Sequence, residues 1–153
     1  IEGMMRLGIP VCLGNDGFSN NMWAEWKSAY FMHKLAHRDP RRANGMDIVQ
    51  MAIYNNAALA EMFWPDLPMG KLEIGAAADI VLVDYYATTP LTAGNLPWHI
   101  IFGFESGMVT TTIAAGKLLM LNRQLLTLDE AEITARSREL AVGVWQRFEE
   151  LSS

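Results

Sequence analysis

The chain has one cysteine, Cys12. That excludes an internal disulfide framework and suits a reducing compartment, here expected to be the cytoplasm. Cys12 lies within an apolar run, and the expectation is a small core side chain rather than a nucleophile. No apolar stretch reaches the roughly 18–20 uninterrupted residues of a spanning helix, so no membrane protein is expected. Basic residues are few: 12 Lys and Arg stand against 17 Asp and Glu, for a net charge of −5. Such a balance lacks the footprint of a nucleic-acid binder. The one basic cluster, Lys34, Arg38, Arg41 and Arg42, falls at a helix exit, where cations meet the dipole favourably. A solvated helix end and a phosphate site are both open to it.

Charge of either sign is sparse, at 19%, whereas apolar residues reach 51% and include ten Met and five Trp. One small core rarely needs so much apolar volume. The surplus is expected to pack against further polypeptide or in a homo-oligomer interface. Ile1-Glu2-Gly3-Met4-Met5 reads as neither an initiator region nor a signal peptide. The chain is therefore expected to be the last part of a longer one.

Residues 9–14, bracketed by Gly8 and Gly14, are apolar without alternation. They read as a fully buried strand of parallel-barrel type. A helix is predicted from Met22 to Ala36, with Met22, Trp26, Ala29, Tyr30 and His33 on one stripe and Asp39-Pro40 as its stop. Asn44 to Asp47 reads as an N-cap with an acid in the first turn, and Asn55-Asn56 as an interruption or re-cap. The texture changes after Pro68. Residues 70–75 and 78–84 read as strands, 86–98 as a loop, and 108–114 and 118–121 as strands, with Asn122-Arg123 closing a hairpin. Thr127 to Glu130 matches a capping box for a final helix to about Glu150.

The residue of most interest is Asp16, which ends the apolar run and opens the polar loop Gly17-Phe18-Ser19-Asn20-Asn21. (β/α) barrels present catalytic groups in this way, at the C-terminal ends of their strands. A carboxylate there can bind a metal and handle protons. A helix N-cap or turn Asp is the other reading open to it. A metal site needs about three protein ligands, and the histidines are only His33, His37 and His99. His33 and His37 stand four apart on one helix face, as a metal pair or as part of an amphipathic surface. His99 reads as a structural or interface histidine in a loop, with a general base as the other option.

Leu7 to Gly17, with Gly14-Asn15-Asp16-Gly17 at its end, resembles the eighth-strand motif of the amidohydrolase superfamily. Asn15 stands where Thr is common. Ser19-Asn20-Asn21 and Glu25 continue the pattern of its chlorohydrolase and cytosine–guanine deaminase branch. Residues 70–75 and 78–84 are similar to its C-terminal signature, and 109–117 to its later sandwich strands. The stretch 91–103, with Asn95-Leu96-Pro97-Trp98-His99, is most like aminohydrolases associated with selenium metabolism.

The resemblance implies an α/β fold. Residues 1–68 would be the last strand and helices of an incomplete (β/α)8 barrel, 69–126 part of a small composite β-sandwich, and 127–153 a C-terminal helix. It implies a metal-dependent hydrolase of non-peptide C–N bonds in a small, heterocyclic substrate, with one divalent ion: zinc foremost, iron or manganese also suited. Asp16 would be both metal ligand and catalytic proton shuttle, and the missing N-terminal part of the parent chain would supply the other ligands. The isolated chain is then expected to be inert. A non-catalytic scaffold or oligomerisation module that keeps the fold's tail is the alternative.

Overall fold

The computed structural model describes residues 1–17 and 20–152. Phe18 and Ser19 of the predicted polar loop, and Ser153, lie outside the described residues. The first half is helical: α1 (Glu2–Arg6), α2 (Met22–His37), α3 (Gly45–Val49), a π-helical stretch (Gln50–Asn55) and α4 (Asn56–Phe63). The second half contains β1 (Ile80–Val83), α5 (Leu96–Gly103), β2 (Val109–Ala114), β3 (Lys117–Leu121), β4 (Gln124–Leu125) and α6 (Glu130–Ser152).

Local chemistry sets most helix ends. Asn21 caps α2, its side chain accepting from the Ala24 N–H, and Arg38 ends the helix in the left-handed region. Asn44 and Asp47 form a reciprocal capping box at α3. The predicted break at Asn55-Asn56 is a π-helical stretch that runs on into α4. The cap of α6 is Asp129, not Thr127: its side chain accepts from the Glu132 N–H at 2.9 Å.

The four strands form one antiparallel sheet in the order β1-β2-β3-β4. Ala115-Gly116 and Asn122-Arg123 make its two tight turns, all four residues at positive φ. This is the geometry that two-residue hairpins favour. Residues 70–75 form bends and turns rather than the predicted strand, with Leu72 and Ile74 exposed. The predicted loop 86–98 ends instead in α5, which carries Pro97 in its first turn, a position where proline is well tolerated.

The buried core is small: Trp26, Ala43, Ile48, Val49, Met51 and Ile101. It joins α2, α3, the π-helical stretch and α5. Gly45 makes this contact possible, since a Cβ there would lie 3.1 Å from the Trp98 ring and 3.2 Å from Pro97. Residues 9–14 depart from expectation. They form no ladder among the described residues, and Cys12 is exposed rather than a core side chain. A barrel strand is buried by parallel neighbours on both sides, and no described strand runs beside this one. Among the described residues no helix is long and apolar enough to cross a membrane.

Candidate active site

Side-chain amides hold the segment leading to Asp16. Asn56 Oδ1 accepts from the Leu13 N–H at 3.1 Å, while Asn56 Nδ2 donates to the Leu13 carbonyl at 2.8 Å. This amide pairs with the backbone as a neighbouring strand would. Asn55 Nδ2 donates to the Val11 carbonyl at 2.7 Å. Asn55 ends the π-helical stretch and Asn56 begins α4, so the junction presents both amides to the same segment. Val11 and Leu13 pack against the core.

Asp16 follows in a tight turn, with φ of 45° at Asp16 and 77° at Gly17. The left-handed region is sparsely used by residues other than glycine, Asn and Asp being the usual exceptions. The Asp16 side chain is exposed and has no hydrogen-bond or ion-pair partner among the described residues. Asn21, not Asp16, caps the helix. Asn15 Nδ2 donates to Asn20 Oδ1 at 3.1 Å and closes the loop across its base.

The histidines do not gather at Asp16. His99 lies on α5 rather than in a loop, with Tyr85 Oη 2.8 Å from its Nδ1 and Thr89 Oγ1 3.1 Å from its Nε2. Both ring nitrogens are thus engaged by hydroxyls, which favours the structural role over a base. His33 and His37 lie toward the C-terminal end of α2, where Glu2 of α1 joins them. Spacing could not have revealed Glu2, which is remote in sequence. The amide clamp was equally hidden, because Asn55 and Asn56 read as helix breakers.

The basic cluster resolves into internal pairs. Lys34 Nζ donates to the carbonyls of Arg42 and Ala43 and lies 3.6 Å from the centroid of the Tyr30 ring. Burial lowers the Lys34 pKa. Arg41 and Arg42 both pair with Asp39, and Arg42 also with Glu2. These three cations are engaged within the fold, which favours the helix-end reading over a phosphate site.

The Amidohydrolase family profile matches residues 1–119. The chain belongs to the amidohydrolase family. It is 32% identical over 145 residues to a 5-methylthioadenosine/S-adenosylhomocysteine deaminase of Syntrophomonas wolfei, covering 92% of this chain and 33% of that protein. It is 29% identical over 142 residues to a 5'-deoxyadenosine deaminase of Methanosarcina mazei, covering 90% and 32%. Among solved structures, a zinc-bound adenosine deaminase from Xanthomonas campestris shares the fold with a TM-score of 0.75 at 22% identity, over 94% of this chain and 33% of that one. A zinc-complexed atrazine chlorohydrolase from Arthrobacter aurescens does so at 0.67 and 22%, over 89% and 30%. The chain spans about a third of the length of the curated relatives it matches.

Proposed function

We propose that this chain is the C-terminal third of a metal-dependent amidohydrolase that removes an exocyclic amine from a purine nucleoside of the adenosine type. The observation that carries the reading is the placement of Asp16. Its carboxylate has no partner among the described residues and stands in a left-handed turn, shortly after a clamped segment, while Asn21 does the capping. Non-glycine residues held at such φ values cluster at functional sites, where surrounding structure must over-determine them. The Asn55 and Asn56 amides hold the Val11–Leu13 segment that leads to Asp16. The nucleoside class comes from the relatives, a 5-methylthioadenosine/S-adenosylhomocysteine deaminase and a 5'-deoxyadenosine deaminase. The narrower likeness to selenium-associated aminohydrolases rests on the sequence of 91–103 alone.

The donor chemistry fits a divalent ion in part, since Asp16 offers an exposed anionic oxygen ligand and no described histidine accompanies it. The remaining ligands belong to polypeptide beyond this chain. Zinc is the ion favoured, with iron and manganese as the other candidates. When bound, the ion supplies Lewis acidity that makes water a nucleophile near neutral pH. Asp16 acts as one anionic ligand and as a proton acceptor at Oδ1 or Oδ2. The same oxygen then holds the proton for the departing amine. The Asn15–Asn20 hydrogen bond joins the residues before and after the turn, and the amide clamp holds the segment that precedes it.

This reading predicts ammonia release from 5-methylthioadenosine, S-adenosylhomocysteine or 5'-deoxyadenosine by the zinc-loaded longer protein, and no turnover by the 153-residue chain alone. Absence of ammonia from all three nucleosides with metal-loaded protein would overturn it. The second reading, a scaffold or oligomerisation module, is favoured by the exposed apolar stripe of α6. It predicts self-association of the isolated chain without any hydrolysis.

A further inference from the structure

At the other end of α2 from Asp16, Glu2, His33 and His37 bring one ligand atom each to within 4.8 Å of one another. A 16-residue helix at 1.5 Å per residue is roughly 24 Å long, so the two places are distinct. The His rings lie parallel, tilted by 18° and with centroids 6.3 Å apart, so both face the same side of the helix.

The two oxygens of Glu2 have different surroundings. Oε1 takes Arg6 at 2.8 Å and Arg42 at 3.1 Å. Oε2 is buried, makes no hydrogen bond among the described residues, and lies 3.8 Å from His37 Nε2. A buried carboxylate oxygen with no donor is costly unless a cation meets it. Lys34, next to His33 in sequence, is turned away onto the Arg42 and Ala43 carbonyls. A pocket of about 300 Å³, lined by Glu2, His33 and Asp47 among others, opens beside the cluster.

We infer that Glu2, His33 and His37 form a site for one zinc-class divalent cation that staples α1 to the C-terminal end of α2. The donor set is two imidazoles and one carboxylate, which suits a borderline-soft first-row ion with a fourth position for water. Tetrahedral coordination brings ligand atoms to roughly 3.3–3.5 Å from one another. Small side-chain rotations close the remaining gap. The two guanidiniums occupy Oε1 and leave Oε2 to the ion, and Asp39, within 3.4 Å of Arg42 Nε, offsets part of their charge.

The test is a titration of the purified protein with Zn(II), read by calorimetry and by the ¹⁵N imidazole resonances. The expected result is one zinc at this site, shifts of the His33 and His37 ring nitrogens with His99 unmoved, and the same binding in Asp16→Asn. His33→Ala and His37→Ala should each weaken it by more than about tenfold, since losing a direct ligand costs at least what losing an outer-shell partner does. The resonances of the unsubstituted protein keep the test decisive if a variant fails to fold. Unmoved His33 and His37 resonances, binding unchanged in both alanine variants, or no zinc uptake at all would each overturn the assignment.

Discussion

The α2–α5 cluster and helix α6 carry comparable apolar side chains with opposite fates. In the first, Trp26, Ile48, Met51 and Ile101 are buried, because α2, α3, the π-helical stretch and α5 each turn an apolar face to the others. In α6, Ile133, Leu140, Val144, Trp145, Phe148 and Leu151 form an equally clear stripe, yet all are half or more exposed. Apolar pattern specifies a face, and burial also needs a partner for that face. The segment 9–14 makes the same point for a strand: it has the composition of a barrel strand, and two asparagine amides do what a neighbouring strand would.

Substitutions can break or sharpen this contrast. Ile101→Ala empties a fully buried position and should cost about 2–5 kcal/mol in denaturant unfolding. A loss below about 1 kcal/mol would show that the helical cluster is not the stabilising unit. Asn56→Ala leaves the Leu13 N–H and carbonyl without their partner and should cost about 1–3 kcal/mol. Hydrogen exchange should then quicken at Leu13 before it does at Ile48. Leu140→Ser on α6 should change stability by no more than about 0.5 kcal/mol, because Leu140 is 56% exposed. A larger loss would mean that the α6 stripe is covered, by a second copy or by further polypeptide.

The smallest effect concerns Asp39, whose pKa is lowered chiefly by hydrogen bonds from the Arg41 side chain and backbone. A depressed carboxyl adds stability that is present above its unfolded-state pKa and lost as pH falls through the folded value. Acid unfolding of Asp39→Asn should therefore show a shallower pH dependence below the ordinary carboxylate range. An unchanged slope would remove Asp39 from the account.

Much of the helical half was legible because its signals are local. Asn44 and Asp47 cap α3 as read, and Asp39-Pro40 closely follows the end of α2. The β1–β4 meander was legible from β-branched runs and turn residues. Helix α5 was missed because Pro90, Gly94 and Pro97 read as loop, although Pro97 is tolerated in a first turn. The strand at 70–75 failed because its apolar Leu72 and Ile74 have no sheet to join. At the candidate site, Asp16 could be found by its position after an apolar run. The His33–His37 pair was legible from its spacing, whereas the Asn55–Asn56 clamp and the arrival of Glu2 beside the pair arise from tertiary proximity, which no spacing encodes.

The most direct measurement is kcat for nucleoside deamination by the longer zinc-loaded protein carrying Asp16→Asn, beside Asp84→Asn as a control on the sheet. For Asp16→Asn, kcat should fall about 10²–10⁴-fold, as expected for loss of a positioned proton acceptor. Asp84→Asn should leave kcat unchanged. Equal rates for the two variants, with each correctly folded, would contradict the role given to Asp16.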